Sequence, residues 1–515
     1  MATTTHPSTR STSGVHPATW RTAVWEHRWV GAVSAIGLGV LTAAGSSIPM
    51  PRGPVNTVET LVAIGMSVLV GILAGYLMRS RWAFVLLAVA FLATYELTRA
   101  GLEGATFGAI RLDSMYGIVA FVVGRGFHAL VTLLPVALGV SIGAALVRGT
   151  GPRRGLAIVP RAILSIAVLG LAVLVALPAS TPPILGADGQ PVPGSIAELR
   201  RIEIGGAEQG ILLRGADTDN PVLLYLSGGP GQSDLAFGRV LLEPLEEDFV
   251  VAIWDQRGNG TSYGAIDPAS SMTLDQAVRD TLAVAEYLRS QFDEEKIYVL
   301  GESWGSTLGV LAVQRQPELF HAYIGSGQMV SQRETDQLIW RDLLAYAEGI
   351  GDWALYDQVL TFGEPPYRDS PWANSFVLGY YEALAPAYSP PAAYQERGQR
   401  AGLGMFGVLG SEYGFVDKAN IFRGLIDSFS ILYPQLQDVD FRDDVTRLEV
   451  PVYVFDGANE LSGRRALSHE WFEALSAPSK ALITYADAGH APAFEHADDL
   501  HRLMVDEIVP ATYGG

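Results

Sequence analysis

The sequence predicts an α/β domain, with a mostly parallel sheet, helices on both faces and a helical cap insertion, preceded by an all-α transmembrane region. Two observations predict this division of the 515 residues. Long apolar runs occupy the first 180 residues, whereas after about residue 199 short apolar strands alternate with helical stretches, a pattern typical of parallel sheets. The charges divide in the same way. Residues 1–180 hold 13 arginines, no lysine and 5 acidic residues. The rest of the chain holds the other 22 of the 35 basic residues and the other 49 of the 54 acidic residues.

Five apolar runs of the first region approach the roughly 17–25 residues of a membrane-spanning helix. They are residues 29–47, 61–78, 82–95, 129–147 and 162–177, of which the third and fifth are short. A cleavable signal peptide is a single short segment, so it does not account for five runs. Residues 115–124 are also apolar, and we interpret them as interfacial or as an extension of the fourth run. We therefore predict a cytoplasmic tail at 1–28 and about five spans over 29–177.

Arginines near the ends of the runs predict the orientation. With five spans, the arginines of the tail, of the turn at 79–81 and of the segment at 148–161 lie on one side, and only Arg52, Arg99 and Arg111 lie on the other. The positive-inside rule then places the tail in the cytoplasm and everything after residue 177 outside, in a multi-pass protein of the cell membrane. An even number of spans would invert this orientation.

The second region begins with a Pro- and Gly-rich segment, 178–198, which we predict to be a linker with little order. A hairpin at 202–204 and 211–213 is expected next, and Thr273 and Gln276 form a capping-box pattern that begins a helix ending near Phe292. We predict a core of residues 199–328 and 447–515. The stretch 329–446 is too long for a loop, so we interpret it as a cap. The predicted buried strands are 222–226, 250–254, 297–300, 322–324, 452–455 and 482–485.

The most informative motif is Gly301-Glu302-Ser303-Trp304-Gly305, between a predicted strand and a predicted helix. Gly-x-Ser-x-Gly in that setting is the nucleophile elbow, a turn so tight that glycine is needed at its flanks and the serine hydroxyl is left exposed. With 56 glycines in the chain, a chance match is common, so other residues must support the interpretation. The hypothesis is that Ser303 is a nucleophile.

Two backbone amides are expected to stabilise the negative oxygen that forms when such a serine attacks. One belongs to Trp304, the residue after the nucleophile, and the other to Gly229, in the glycine-rich loop 227–231 that follows a predicted strand. Gly228 and Gln328 are candidates for the border of the substrate pocket, although each also fits an ordinary turn.

A histidine base and an acid complete the predicted triad. His490 follows the last predicted strand, whereas His496 and His501 fall on the helix after it. Glu460, in the loop after the seventh strand, is the favoured acid, and Asp456 at the strand end is the alternative. The order serine, acid, histidine along the chain is that of α/β-hydrolases.

Four motifs together resemble the proline iminopeptidase family of α/β-hydrolases over about residues 200–510. They are SGGPG at 227–231, WDQRGNGTS at 254–262, GESWGSTLG at 301–309 and AGH at 488–490. The sequence departs from the family at Ser227, usually histidine, at Glu302, often glycine, and at Glu460, usually aspartate. The resemblance implies an α/β-hydrolase fold and removal of N-terminal residues, with cap carboxylates holding the substrate ammonium. Among cap acids, Glu334 is a candidate by composition only.

The sequence thus predicts a membrane-anchored serine hydrolase, an aminopeptidase on short peptides by the resemblance. The alternatives are an ester or lipid hydrolase with the same triad, or a non-catalytic sensor or transporter with a hydrolase-like binding domain. The predicted partners are a small peptide or ester and the lipid bilayer, and no oligomeric state is assigned. The acidic second region argues against nucleic acid. The chain has no cysteine, and the predicted chemistry needs no metal and no organic cofactor.

Overall fold

A computed structural model describes residues 27–147, 154–400 and 407–513, with only the backbone of 154–157. Nearly all of the predicted tail, together with Arg148 and Arg153, lies outside the described residues. The chain divides into two compact units. The apolar unit comprises Met1–Pro51, Val62–Ala100 and Val131–Leu171, and the sheet unit comprises Arg52–Leu61, Gly101–Leu130 and Ala172–Gly515.

The described part of the first region is helical. Its helices are α1 (Arg28–Ser47), α2 (Thr57–Met78), α3 (Trp82–Thr98), α4 (Met115–Val147, with a π-helical turn at Val122–Gly126) and α5 (Arg154–Ala176). Four of them, α1, α2, α4 and α5, are long and apolar enough to cross a membrane, and α3 is a shorter apolar helix of 17 residues. Residues 115–124 are continuous with α4, so they extend the fourth apolar run.

Small residues bring the helices of the apolar unit into close contact. A Cβ atom on Gly39 of α1 would lie 2.6 Å from the carbonyl oxygen of Leu87 on α3. A Cβ on Gly71 of α2 would lie 2.6 Å from the carbonyl oxygen of Val136 on α4. Backbones that approach this closely are typical of helices that pack in lipid, where glycine at the interface permits the contact.

The sheet unit contains an eight-stranded sheet in the order β1-β2-β4-β3-β5-β6-β7-β8. Strand β2 pairs antiparallel with β1 and β4, and the other neighbours are parallel. The predicted mostly parallel sheet is therefore confirmed. The strands are β1 (Ile196–Ile204), β2 (Ala207–Gly215), β3 (Val222–Leu226), β4 (Val250–Trp254), β5 (Ile297–Glu302), β6 (Phe320–Ser326), β7 (Val452–Gly457) and β8 (Lys480–Tyr485).

The central strands are apolar throughout because both faces of the sheet are covered. Along β5, Ile297 and Val299 belong to one buried cluster, whereas Tyr298 and Leu300 belong to the cluster on the other face. Strands buried on two faces lose the alternation of apolar and polar residues. This is why short continuous apolar runs marked the strands correctly.

The segment predicted to be a linker, 178–198, is more ordered than expected. Strand β1 already begins at Ile196, and Leu185 forms an isolated bridge with Pro191. Arg214 of β2 donates hydrogen bonds to the hydroxyl oxygen of Thr181 (2.9 Å) and to the carbonyl oxygen of Pro182 (2.5 Å). Composition alone missed these contacts because their partner lies in a strand far along the chain.

Helices flank the sheet and form the insertion between β6 and β7. The helices that precede the insertion are α6 (Leu235–Leu241), α7 (Leu274–Phe292) and α8 (Trp304–Arg315). The insertion contains α9 (Gln332–Ile350), α10 (Trp353–Phe362), α11 (Trp372–Leu378), α12 (Tyr381–Leu384), α13 (Ala392–Arg400), α14 (Phe415–Leu432) and α15 (Phe441–Asp444). Those that follow are α16 (Ser462–Ala474), α17 (Pro492–Glu495), α18 (Ala497–Leu503) and α19 (Val509–Thr512). The hydroxyl of Thr273 caps α7 by accepting from the amide of Gln276 at 3.0 Å, as its capping pattern predicted.

Candidate active site

Ser303 occupies the turn between β5 and α8. Its backbone has φ 52° and ψ −117°, in the left-handed region that a non-glycine residue rarely adopts. The Ser303 amide donates to the carbonyl oxygen of Ser326 at 2.9 Å, which holds the turn to β6. A Cβ on Gly305 would overlap the carbonyl oxygen of Leu226, and one on Gly301 would overlap that of Gly305. The elbow therefore requires glycine on both sides of the serine.

Three side chains from the ends of parallel strands meet at this turn. Ser303 follows β5, Glu460 follows β7 and His490 follows β8. The Nε2 atom of His490 lies 2.9 Å from the Ser303 hydroxyl oxygen, and its Nδ1 atom contacts a carboxylate oxygen of Glu460. Parallel strands end at one edge of their sheet, and this topology brings together residues 187 and 30 positions apart in the chain.

Glu460 is buried and surrounded by hydrogen-bond donors. Its Oε1 atom accepts from the Leu461 amide at 2.7 Å and from the Tyr381 hydroxyl at 3.2 Å, and it lies 3.7 Å from the Arg464 guanidinium. Burial alone would raise the pKa of Glu460, but the charges of His490 and Arg464 outweigh it and lower the pKa to about 2. The carboxylate is therefore ionised at neutral pH and faces the imidazole.

Asp456, the alternative acid, has other contacts. Its Oδ2 atom accepts from the Arg465 guanidinium and from the Thr484 hydroxyl, both at 3.0 Å. The structure thus places Glu460, and not Asp456, against His490. The Oε1 atom of Glu460, which does not contact His490, accepts from Tyr381 of the insertion and lies near Arg464 of α16.

The glycine-rich loop after β3 lies against the elbow. A Cβ on Gly228 would lie 3.4 Å from the Ser303 Cβ atom, so this loop borders Ser303. Gln256 links the two segments, because its Oε1 atom accepts from the Trp304 indole at 2.8 Å and its Nε2 atom donates to the Ser227 carbonyl oxygen at 3.0 Å. Gln256 stands in the motif at 254–262, but no role was predicted for it.

Glu302 adds a second buried carboxyl beside His490. Its Oε1 atom lies 3.9 Å from His490 Nε2, and its Oε2 atom would be 2.6 Å from a Cβ on Gly228. Burial raises the pKa of Glu302 to about 7, and nearby Asp234 adds to the effect while His490 opposes it. Burial also raises the pKa of Asp234 to about 6. This part of the site therefore holds two buried carboxyl groups.

Two predicted substrate-binding residues have other contacts. The Gln328 side chain is buried, accepts from the Tyr323 hydroxyl at 2.6 Å and donates to the Met329 carbonyl oxygen at 2.7 Å. Glu334 forms an ion pair with Arg442 in a partly exposed cluster. Within the described residues, no group of three or more histidine and acidic side chains is arranged to hold a metal ion.

The chain has identifiable relatives. A family model described as alpha/beta hydrolase fold matches residues 221–497. A probable aminopeptidase, YbaC, from Bacillus subtilis (strain 168) is 28% identical over 302 residues, which cover 58% of this chain and 93% of the relative. A proline iminopeptidase from Lactobacillus delbrueckii subsp. bulgaricus is 24% identical over 298 residues, which cover 57% of this chain and 92% of the relative.

A solved structure is also similar. The crystal structure of a proline iminopeptidase-related protein from Thermus thermophilus is 21% identical, covers 62% of this chain and 98% of its own, and has a TM-score of 0.42. The resemblance expected from the four motifs is confirmed by the sequence relatives.

Proposed function

Because this chain belongs to the α/β-hydrolase fold family, we propose that it is a membrane-anchored serine hydrolase with Ser303 as its nucleophile. The observation that carries the proposal is the line of contacts from the Ser303 hydroxyl through His490 to the ionised Glu460. A serine is a weak nucleophile unless a base accepts its proton, and the base needs an acid that orients it and stabilises its charged form.

The proposed reaction uses these groups in sequence. Ser303 attacks a substrate carbonyl while His490 Nε2 accepts the hydroxyl proton, and Glu460 stabilises the imidazolium. The amides of Gly229 and Trp304 stabilise the oxyanion. His490 then protonates the leaving group, and water, deprotonated by the same imidazole, hydrolyses the acyl-enzyme.

We propose that the substrates are short peptides from which one N-terminal residue is removed. The names of the two sequence relatives, an aminopeptidase and a proline iminopeptidase, support this class. The acidic groups beside the nucleophile also favour a substrate that carries a free ammonium, because the carboxyl of Glu302 lies next to the base.

The proposed placement is the cell membrane with the sheet unit outside. Segments Arg52–Leu61 and Gly101–Leu130 group with the sheet unit although they connect apolar helices. They contain the residues that join α1 to α2 and α3 to α4, together with the first residues of α2 and of α4, so both connections lie on the side opposite the arginine-rich turn at 79–81. This grouping supports the five-span orientation that the arginines predict.

The test uses a fluorophosphonate probe on the purified full-length chain. The wild type should be labelled, and Ser303→Ala and His490→Ala should lose labelling and turnover while remaining folded. Ser306→Ala is the matched control, because the Ser306 hydroxyl donates to the Ser303 carbonyl oxygen at 2.5 Å rather than contacting the base. An unlabelled wild type, or full activity in Ser303→Ala, would refute the proposal.

Substrate class is tested with the same preparations. An aminoacyl anilide with a free amine, its N-acetylated form and an acyl ester of similar size should be compared by kcat/KM. Preference for the free amine supports the aminopeptidase, whereas preference for the ester supports an esterase with the same triad.

A further inference from the structure

Helix α14 lies directly beside the glycine-rich loop that borders the nucleophile. A Cβ on Gly231 of that loop would lie 2.7 Å from the carbonyl oxygen of Gly424 on α14. A Cβ on Gly424 would in turn lie 2.7 Å from the carbonyl oxygen of Gly258, to which the Ser428 hydroxyl also donates at 3.1 Å. Backbone meets backbone at these points, so a shift of α14 would move the loop.

Asp427, on the same helix, binds the segment that joins α3 to α4. Its carboxylate is fully buried and accepts from the Thr106 amide at 2.8 Å, the Thr106 hydroxyl at 2.7 Å and the Tyr263 hydroxyl at 2.8 Å. The Arg52 guanidinium lies 3.7 Å away and donates to Asp267 at 3.0 Å. The carboxylate is therefore held mainly by residues from outside the α/β domain.

Two further side chains of α14 reach the segment that joins α1 to α2, and one of them also reaches the first part of α4. The Arg423 guanidinium donates to the carbonyl oxygens of Pro54 at 3.0 Å and of Val123 at 2.7 Å. The Asn420 amide donates to the carbonyl oxygen of Val55 at 2.8 Å. Side chains at residues 420, 423 and 427 of α14 thus bind the segments that connect apolar helices and, through Val123, the first part of α4.

The segment that joins α3 to α4 can approach Asp427 closely because it has a glycine at the point of contact. Gly104 has φ 126°, and a Cβ there would lie 2.7 Å from the Asp427 Oδ1 atom. The family match begins at residue 221, after both segments. These segments are therefore additional to the part of the chain that defines the family.

We propose that the connecting segments Arg52–Leu61 and Gly101–Leu130 are a structural part of the active site, in which Thr106 and Asp427 are positioning residues for the glycine-rich loop 227–231. They act through α14, which they hold against Gly231 and Gly258. The proposal rests on the proposed function, because it assigns these residues to the loop that stabilises the oxyanion. It gives these two segments a catalytic purpose besides connecting the apolar helices.

The size of the effect follows from the geometry. Losing the Thr106 hydroxyl leaves one oxygen of a fully buried carboxylate with fewer donors, and the helix can move to recover them. Misplacement of an oxyanion donor by about 1 Å costs on the order of 10²-fold in rate, and smaller shifts cost less. Loss of a donor that acts only on the transition state lowers kcat and leaves KM nearly unchanged.

The experiment measures kcat, KM and melting temperature for full-length variants. Thr106→Val removes the hydroxyl with little change of shape, Thr106→Ser keeps it, and Asp427→Asn removes the charge. The matched control is Glu246→Gln, since Glu246 is also buried and ion-paired, to Arg214 at 2.7 Å, in another part of the unit.

Thr106→Val and Asp427→Asn should lower kcat by about 10-fold or more with KM changed by less than about threefold. Thr106→Ser should restore wild-type kcat, and Glu246→Gln should lower the melting temperature but keep kcat. Unchanged kcat in Thr106→Val and Asp427→Asn, or a loss matched by Glu246→Gln, would overturn the inference alone. A wild type that neither turns over nor labels would instead refute the proposed function.

Discussion

Replacing Glu460 with glutamine tests the proposed triad most directly. The Glu460 Oε1 atom accepts from the Leu461 amide and the Tyr381 hydroxyl, so in Glu460→Gln the amide oxygen should remain with these two donors. The amide NH2 group would then face His490 Nδ1 and donate to it. That contact selects the tautomer with the proton on Nε2, which cannot accept a proton from Ser303.

The expected loss is large. The pKa of Glu460 is lowered from 4.5 to about 2, which corresponds to about 3 kcal/mol in favour of the ionised form in this environment. A substitution that reverses the histidine tautomer lowers kcat by about 10⁴-fold in serine hydrolases. We expect a loss of about 10³–10⁴-fold in kcat for Glu460→Gln, with KM nearly unchanged.

The assay compares kcat and single-turnover acylation rates of three full-length variants. Asp456→Asn is the control, because Asp456 binds Arg465 and Thr484, and it should keep kcat within about fivefold of wild type. Glu460→Asp keeps the charge on a shorter side chain and should lose an intermediate amount. Near-normal acylation by Glu460→Gln, or inactivation by Asp456→Asn alone, would refute the assignment of the acid.

Three further predictions concern the site and the topology. The pKa of Glu302 in the folded protein is about 7, above the usual 4.5, so its stabilising contribution is complete below about pH 4.5 and is lost as the pH rises through about 7. Glu302→Gln should therefore raise the melting temperature at about pH 8 and leave it nearly unchanged at about pH 4.5. An equal change at both pH values would contradict this. Gly305→Ala should abolish probe labelling and lower yield, because its Cβ would overlap the Leu226 carbonyl oxygen; an active variant would disprove the tight turn. In this cysteine-free chain, Asp219→Cys should react with a membrane-impermeant maleimide on intact cells and Ser80→Cys only after lysis, and the opposite pattern would invert the topology.

The parallel sheet and the residues at its edge followed from the sequence for a physical reason. Buried strands such as β3 and β5 are short apolar runs, and parallel strands bring the residues that follow them to one edge. Ser303 and His490 could therefore be paired although 187 positions separate them. The preference for Glu460 over Asp456 depended on loop position, and the structure now gives each acid its own contacts.

The contacts of the cap could not be predicted in the same way. Tyr381 and Arg464 reach Glu460 from helices whose packing depends on many side chains at once, and neither stands in a recognisable motif. The same holds for Thr106 and Asp427, which are 321 positions apart. Local patterns report how a segment folds, whereas such long-range pairs depend on how finished elements pack.

The hydrogen bond from Tyr381 to Glu460 would link the reactivity of the site to the position of the insertion. Tyr381 belongs to the insertion, so any movement of α12 that admits a substrate would also remove a donor from Glu460, the proposed acid. The chain would be least reactive while open and most reactive once closed again. A long polypeptide that kept the insertion from closing would then be hydrolysed poorly even when it entered, and chain length would be selected without a dedicated binding subsite.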